Sequence, residues 1–154
     1  MLIVKVDRNE YTENGSKREI WGYQFLLDGH LLKQEVIKAR VNSDDTRLMR
    51  YIRCYQWAFE KISGYINTNS IDSDTLNIYF TNSTINTWMH IGKVYKDYRI
   101  VFDKLMGVLD NIPMTLKFIK VDRNWSFRKL LVNDNITRER YSNLASFLNS
   151  MEGD

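Results

Sequence analysis

The chain opens on a short apolar run, Leu2-Ile3-Val4-Lys5-Val6, which predicts a strand closed by Asp7. Arg8 to Arg18 is polar, and Asn14-Gly15-Ser16 marks a turn within it, so a loop is expected there. Ile20 to Leu27 is rich in aromatic and branched residues and predicts a second strand. Asp28-Gly29 accepts the positive φ values of a primed turn and predicts a tight hairpin. Leu31 to Val41 returns as a third strand. Its Val36, Ala39 and Val41 break strict alternation, which predicts a bulge or an irregular end.

The period then changes. Leu48, Ile52, Tyr55, Phe59 and Ile62 recur at helical spacing and predict a helix with one buried stripe. Ser43 or Asp44 is the expected cap, since their oxygens accept the free N–H groups of a first turn. Gly64 and the stretch from Asn67 to Asp74 predict a polar loop. Leu76-Asn77-Ile78-Tyr79-Phe80 predicts a fourth strand, and Thr84 to Ile91 a short helix. A longer helix is expected over Tyr98 to Leu109, with Val101, Leu105, Val108 and Ile112 on one side and Pro113 as its stop. Met114 to Val121 predicts a fifth strand. A basic, aromatic loop from Asp122 to Asp134 leads to a last amphipathic helix, Thr137 to Met151, with Tyr141, Leu144, Ala145 and Leu148 inside. The order predicts a single domain with a five-stranded mixed sheet, β-β-β-α-β-α-β-α, and helices on both faces. The first three strands form an antiparallel meander, and the last two are parallel additions reached by right-handed crossovers.

Composition narrows the class without naming a function. The 154 residues suit one domain, which at that size buries roughly 70% of its unfolded surface. The formal charge of +3 is too small to demonstrate a nucleic-acid partner, so the distribution of charge matters more. A lone cysteine, Cys54, excludes an internal disulfide framework and reads as a small buried side chain. No apolar run approaches the ~20 residues of a membrane span, and the first residues are too polar for a signal peptide. A cytoplasmic, reducing compartment is the expectation. No zinc motif, phosphate-binding glycine loop or serine nucleophile motif is present. His90 reads as a half-buried structural residue.

Several short motifs, taken in order, carry a resemblance. Val4-Lys5-Val6-Asp7 ends a first strand in an acid. Trp21-Gly22-Tyr23-Gln24-Phe25-Leu26 places a glycine in a second strand. Thr46-Arg47-Leu48 opens the first long helix, Ile78-Tyr79-Phe80-Thr81-Asn82-Ser83 closes the fourth strand, and Asn86-Thr87-Trp88-Met89 fits the helix after it. Phe118-Ile119-Lys120-Val121-Asp122 fits a fifth strand, and Arg138-Glu139-Arg140-Tyr141-Ser142-Asn143-Leu144-Ala145 a final helix. In order and spacing these resemble the ribonuclease H-like fold family over nearly the whole chain.

That resemblance implies a two-metal phosphodiester-cleaving site built from four carboxylates. Only Asp7 is retained here. Arg47, Asn82 and Ser142 stand at the other three positions. Mg²⁺ prefers oxygen ligands with compensating negative charge, and a guanidinium beside it is repulsive. The expectation is therefore a degenerate site with no catalytic residue, no metal and no cofactor, with Asp7 pairing with Arg47 or finishing its strand. Mg²⁺ returns only if Asp7, Asp122 and a further acid elsewhere in the chain together rescue the enzyme.

The remaining basic and aromatic residues suggest binding. Arg47, Arg50 and Arg53 recur along the first helix, either as a phosphate-binding row or as a solvated face with local pairs such as Arg53 with Glu60. Arg123, Trp125, Phe127, Arg128 and Lys129 combine cations with rings that stack on unpaired bases, or else anchor a loop or a protein interface. Lys17-Arg18, Lys93 and Lys96 form no clear cluster. The leading expectation is an inactive ribonuclease H-like accessory or regulatory module, of viral or mobile-element type. Its partner is a nucleic acid or a nucleic-acid-handling protein. A divergent metal-dependent nuclease and a structural subunit of a protein assembly are the alternatives.

Overall fold

The computed structural model describes residues 1–40, 42 and 44–121. Within them the chain runs β1 (Leu2–Glu13), β2 (Ser16–Leu27), β3 (His30–Ala39), α1 (Arg47–Thr68), β4 (Thr75–Phe80), α2 (Ser83–Ile91), α3 (Arg99–Asp110) and β5 (Thr115–Lys120). The sheet order is β3-β2-β1-β4-β5. The first three strands pair antiparallel, while β4 lies parallel to both β1 and β5. This is the mixed sheet expected from the order of elements.

The largest departure is in residues 8–18. They form no loop, because β1 and β2 continue to a two-residue turn at Asn14-Gly15, pairing Asp7 with Gly22 and Glu13 with Ser16. Asn14 (φ 51°) and Gly15 (φ 77°) both take the left-handed conformation of a primed hairpin turn. Asp28 (φ 48°) and Gly29 (φ 82°) do the same at the second, expected hairpin. The one register shift lies between Phe25 and Leu26, opposite Leu32, rather than near Val36.

The helices differ from expectation mainly at their ends. Thr46 caps α1, its hydroxyl accepting from the Met49 amide at 3.2 Å, where Ser43 or Asp44 was expected. The helix also runs through Gly64 to Thr68, because Ile62 and Ile66 still face the core. In α3 the buried stripe is Val101, Phe102, Leu105 and Leu109, with Val108 only half-buried. The expected final helix and the preceding loop lie outside the described residues.

One face of the sheet carries the main core. Val4, Val6, Tyr23 and Phe25 pack against Ile52, Tyr55, Phe59 and Ile62 of α1, all fully buried. Phe80, at the end of β4, stacks on Tyr55 with ring centroids 4.5 Å apart and on Phe118 at 5.7 Å. Each such fully buried side chain contributes about 1.5–3 kcal/mol. Trp88 of α2 meets Tyr98 and Phe102 at 5.7 and 5.8 Å, which ties α2 to α3. Among the described residues, no helix is long and apolar enough to cross a membrane.

Candidate functional site

Asp7 sits where β1 parts from β4. The parallel ladder reaches Lys5–Tyr79, and beyond it Thr81 turns away toward α2. The Asp7 side chain is fully buried in this fork. Its Oδ1 accepts from the Arg8 amide at 2.8 Å and from the Thr81 hydroxyl at 3.3 Å. Its backbone carbonyl accepts from the Cys54 thiol at 3.6 Å. Burial, and then the Asp7 charge, push that thiol well above its ordinary pKa, so Cys54 is a packed core residue and not a thiolate nucleophile.

Asn82 follows the fork and caps α2. Its side-chain oxygen accepts from the Ile85 amide at 2.9 Å. The other polar atom of that amide is a donor, unsuited to a cation. Arg47, the first residue of α1, is exposed. Its guanidinium lies over the Tyr51 ring, 5.8 Å from the centroid, and lines a small cavity of about 180 Å³ with Arg8, Asn9 and Glu10. Arg47 therefore turns toward Tyr51 and Glu10 and does not make the expected pair with Asp7.

Two hard divalent cations need several oxygen ligands and offsetting charge. The described residues offer one buried carboxylate engaged with a backbone amide and a hydroxyl, one committed amide oxygen and one cation. They include no group of three or more His, Cys, Asp or Glu arranged to hold a metal. This donor set does not fit a two-metal centre. Ser142 and Asp122 lie outside the described residues.

Next to the fork lies an ionic cluster that the sequence pattern did not reveal. Arg8, 2% exposed, donates through Nε to Glu19 at 2.7 Å and through a terminal nitrogen to Glu10 at 2.6 Å. Its guanidinium covers the Tyr51 ring at 4.7 Å. Trp21 Nε1 donates to the same Glu19 oxygen at 2.9 Å. Arg50 approaches the other Glu19 oxygen at 3.2 Å, a charge contact without hydrogen-bond alignment, and Glu10 at 3.6 Å. Burial alone would lower the Arg8 pKa, but the Glu19 and Glu10 hydrogen bonds and the Glu19 charge raise it further, so Arg8 stays charged.

Arg50 is thus directed inward, with 14% of its side chain exposed, and the expected row of three arginines does not form. Arg53 pairs with Asp45 at 2.8 Å instead of Glu60. Arg47 alone of the three makes no ion pair within 4.0 Å among the described residues, though its charge still acts on Glu10. The other expected contact residues, Arg123, Trp125, Phe127, Arg128 and Lys129, lie outside the described residues. A ledge of exposed charged and aromatic residues does appear between α2 and α3, where Ile91, Lys93, Tyr95, Lys96, Asp97, Arg99 and Ile100 are all exposed and Arg99 pairs with Asp103 at 3.7 Å. Sequence reading treated its lysines as scattered. The signal was their interleaving with Tyr95 directly after the αL residue Gly92, which ends α2.

No family model matches this chain, and no curated protein matches it. Solved structures do. An RNase H1 isolated from compost by a metagenomic approach, LC11-RNase H1, superposes with a TM-score of 0.67 over 91% of this chain and 98% of its own, at 16% identity. The same enzyme in complex with RNA/DNA hybrid gives a TM-score of 0.64 at 12% identity, covering 83% of this chain and 90% of that one. RNase H1 from the halophilic archaeon Halobacterium salinarum gives 0.64 at 11% identity, covering 86% and 98%. The fold is ribonuclease H-like, and at these identities the likeness establishes the fold alone.

Proposed function

We propose that this chain is a ribonuclease H-like domain that binds nucleic acid without cleaving it, serving as an accessory or regulatory module. One observation carries the reading. Asp7 and Asn82 are engaged in structural hydrogen bonds, and the exposed cation Arg47 begins α1, where the resemblance would put a metal-binding acid. Among the described residues, a site of this kind can attract a phosphate through Arg47 but offers no group of carboxylates that would hold two cations against it.

The nucleic-acid half of the reading is supported by the fold, by a structurally similar enzyme solved with an RNA/DNA hybrid, and by the exposed ledge of Lys93, Tyr95 and Lys96. Cations beside exposed rings suit a backbone with accessible bases. RNA/DNA hybrid is accordingly the first ligand to test. Fluorescence anisotropy should show binding that needs no divalent cation and weakens with salt. Incubation with Mg²⁺ or Mn²⁺ should leave the labelled hybrid intact. Cleavage that disappears in Asp7→Asn would establish a working nuclease and defeat the proposal. Absence of binding to hybrid or to single strands at low salt would defeat it equally.

A further inference from the structure

A second basic site lies at the outer end of the β1–β2 hairpin, away from the fork. The β2–β3 ladder stops at Glu19–Ala39, while β1 and β2 continue through Tyr11–Arg18 and Thr12–Lys17 to Glu13–Ser16. The overhanging hairpin and the end of β3 enclose a cleft of about 290 Å³, lined by Tyr11, Glu13, Ser16, Arg18, Lys38 and Arg40 among others.

Register explains why the cations converge. Ile20 pairs with Lys38, so Lys38 shares the sheet face of Ile20 and, two residues away on β2, of Arg18. Arg40 follows the end of β3 and lines the same cleft as Arg18. Tyr11 pairs with Arg18 and completes the wall. Like charges facing each other across strands destabilise a sheet. Here the compensation is slight, because Glu13 is the one acid in the lining and reaches Lys38 only at 4.0 Å. No acid pairs with Arg18 or Arg40 among the described residues.

We propose that this cleft binds a phosphate-class oxyanion. Two guanidiniums and an ammonium supply charge and directed donors, the Ser16 hydroxyl adds a neutral donor, and the anion removes the repulsion among the cations. The oxyanion is either a backbone phosphate of a nucleic acid or a free phosphate. Tyr11 lies four residues from Asp7, roughly 13 Å along β1 at ~3.3 Å per residue, so a strand of a few nucleotides lying over the fork would reach the cleft.

The test is a two-dimensional amide NMR titration of the full ¹⁵N-labelled chain with inorganic phosphate, with a short single-stranded DNA, and with chloride at matched ionic strength. Saturable shifts are expected at residues 16–18 and 38–40 with phosphate and not with chloride. Arg18→Gln combined with Lys38→Gln should weaken phosphate binding about tenfold or more, and Glu13→Gln should strengthen it. Arg18 is exposed, and Lys38 and Glu13 keep 32% and 41% of their side chains in solvent, so the melting temperature should hold; single Arg18→Gln serves if the double variant melts early. DNA saturating the same amides at far lower concentration than phosphate identifies a nucleic-acid backbone as the source, and DNA no tighter than phosphate identifies the free ion. Chloride-like, non-saturating shifts, or unchanged affinity in Arg18→Gln, would overturn the site. Failure here leaves hybrid binding at Arg47 and the α2–α3 ledge unaffected, so the two proposals fail separately.

Discussion

Glu19 joins two arginines and an indole, and it is 1% exposed. Removing one partner of a buried charge pair is far more damaging than removing both, because the survivor is left desolvated without compensation. Glu19→Gln should therefore lower unfolding free energy by about 3–5 kcal/mol in urea titration. Arg8→Met made together with it should recover part of that loss. Glu10 behaves differently, since it stands at the rim. The Arg8 hydrogen bond holds its carboxyl below the ordinary 4.5; its partial burial opposes this, and the Arg8, Arg50 and Arg47 charges reinforce it. A depressed folded pKa means the stabilisation is complete above 4.5 and lost as pH falls through the folded value. Acid unfolding of Glu10→Gln should consequently show a shallower loss of stability below pH 4.5 than the parent chain; identical acid profiles would show that the rim pair contributes nothing.

At the scale of elements, caps and turns decide where the pattern stops. Thr46 both caps α1 and meets the Tyr98 hydroxyl at 2.9 Å, linking the start of α1 to the start of α3. Thr46→Ala should cost about 1 kcal/mol, with Thr46→Ser restoring most of it; equal stability of all three would show that the cap is dispensable. Sequence reading identified β4, α2, the second hairpin and the buried stripe of α1, because each rests on apolar periodicity or on a turn pair with few alternatives. It missed the outer half of the first hairpin for a physical reason. Arg8 and Glu19 are buried by pairing with each other, with Glu10 at the rim, so the strand face they form looks polar, and apolar alternation, the signal for a half-buried strand, is absent. Asn14-Gly15 was the available clue, and it fixes the register that brings Arg8 to Glu19. The site was legible to the same extent. Asn82 could be placed from the end of β4, whereas Asp7 does not close its strand but lies inside β1, and the inward turn of Arg50 depends on Glu19, eleven residues from Arg8 and reachable only once that hairpin is closed.

For the molecule as a whole, the question is what makes the sheet and helices unfold together. Phe80 is the candidate. It ends β4, stacks on Tyr55 of α1, meets Phe59 edge-on at 6.3 Å and stacks on Phe118 of β5. The Val121 amide then donates to the Phe80 carbonyl at 2.8 Å, so the backbone of the same residue holds the chain beyond the last described strand. One side chain thereby spans the central strand pair, the main helix and the sheet edge, and it does so next to Thr81, which fixes Asp7. Truncation should create a cavity that no single element can close. Phe80→Ala is expected to destabilise by about 3–5 kcal/mol. Because the ring is shared, far-ultraviolet dichroism and tryptophan fluorescence should shift by the same amount and remain coincident. If the fluorescence of Trp88 and its α2–α3 surroundings moved alone while the dichroism midpoint held, Phe80 would be packing one edge of the sheet and not binding its layers into one cooperative unit. Retention of hybrid binding in the folded variant would further separate this core from the exposed cations proposed to contact phosphate.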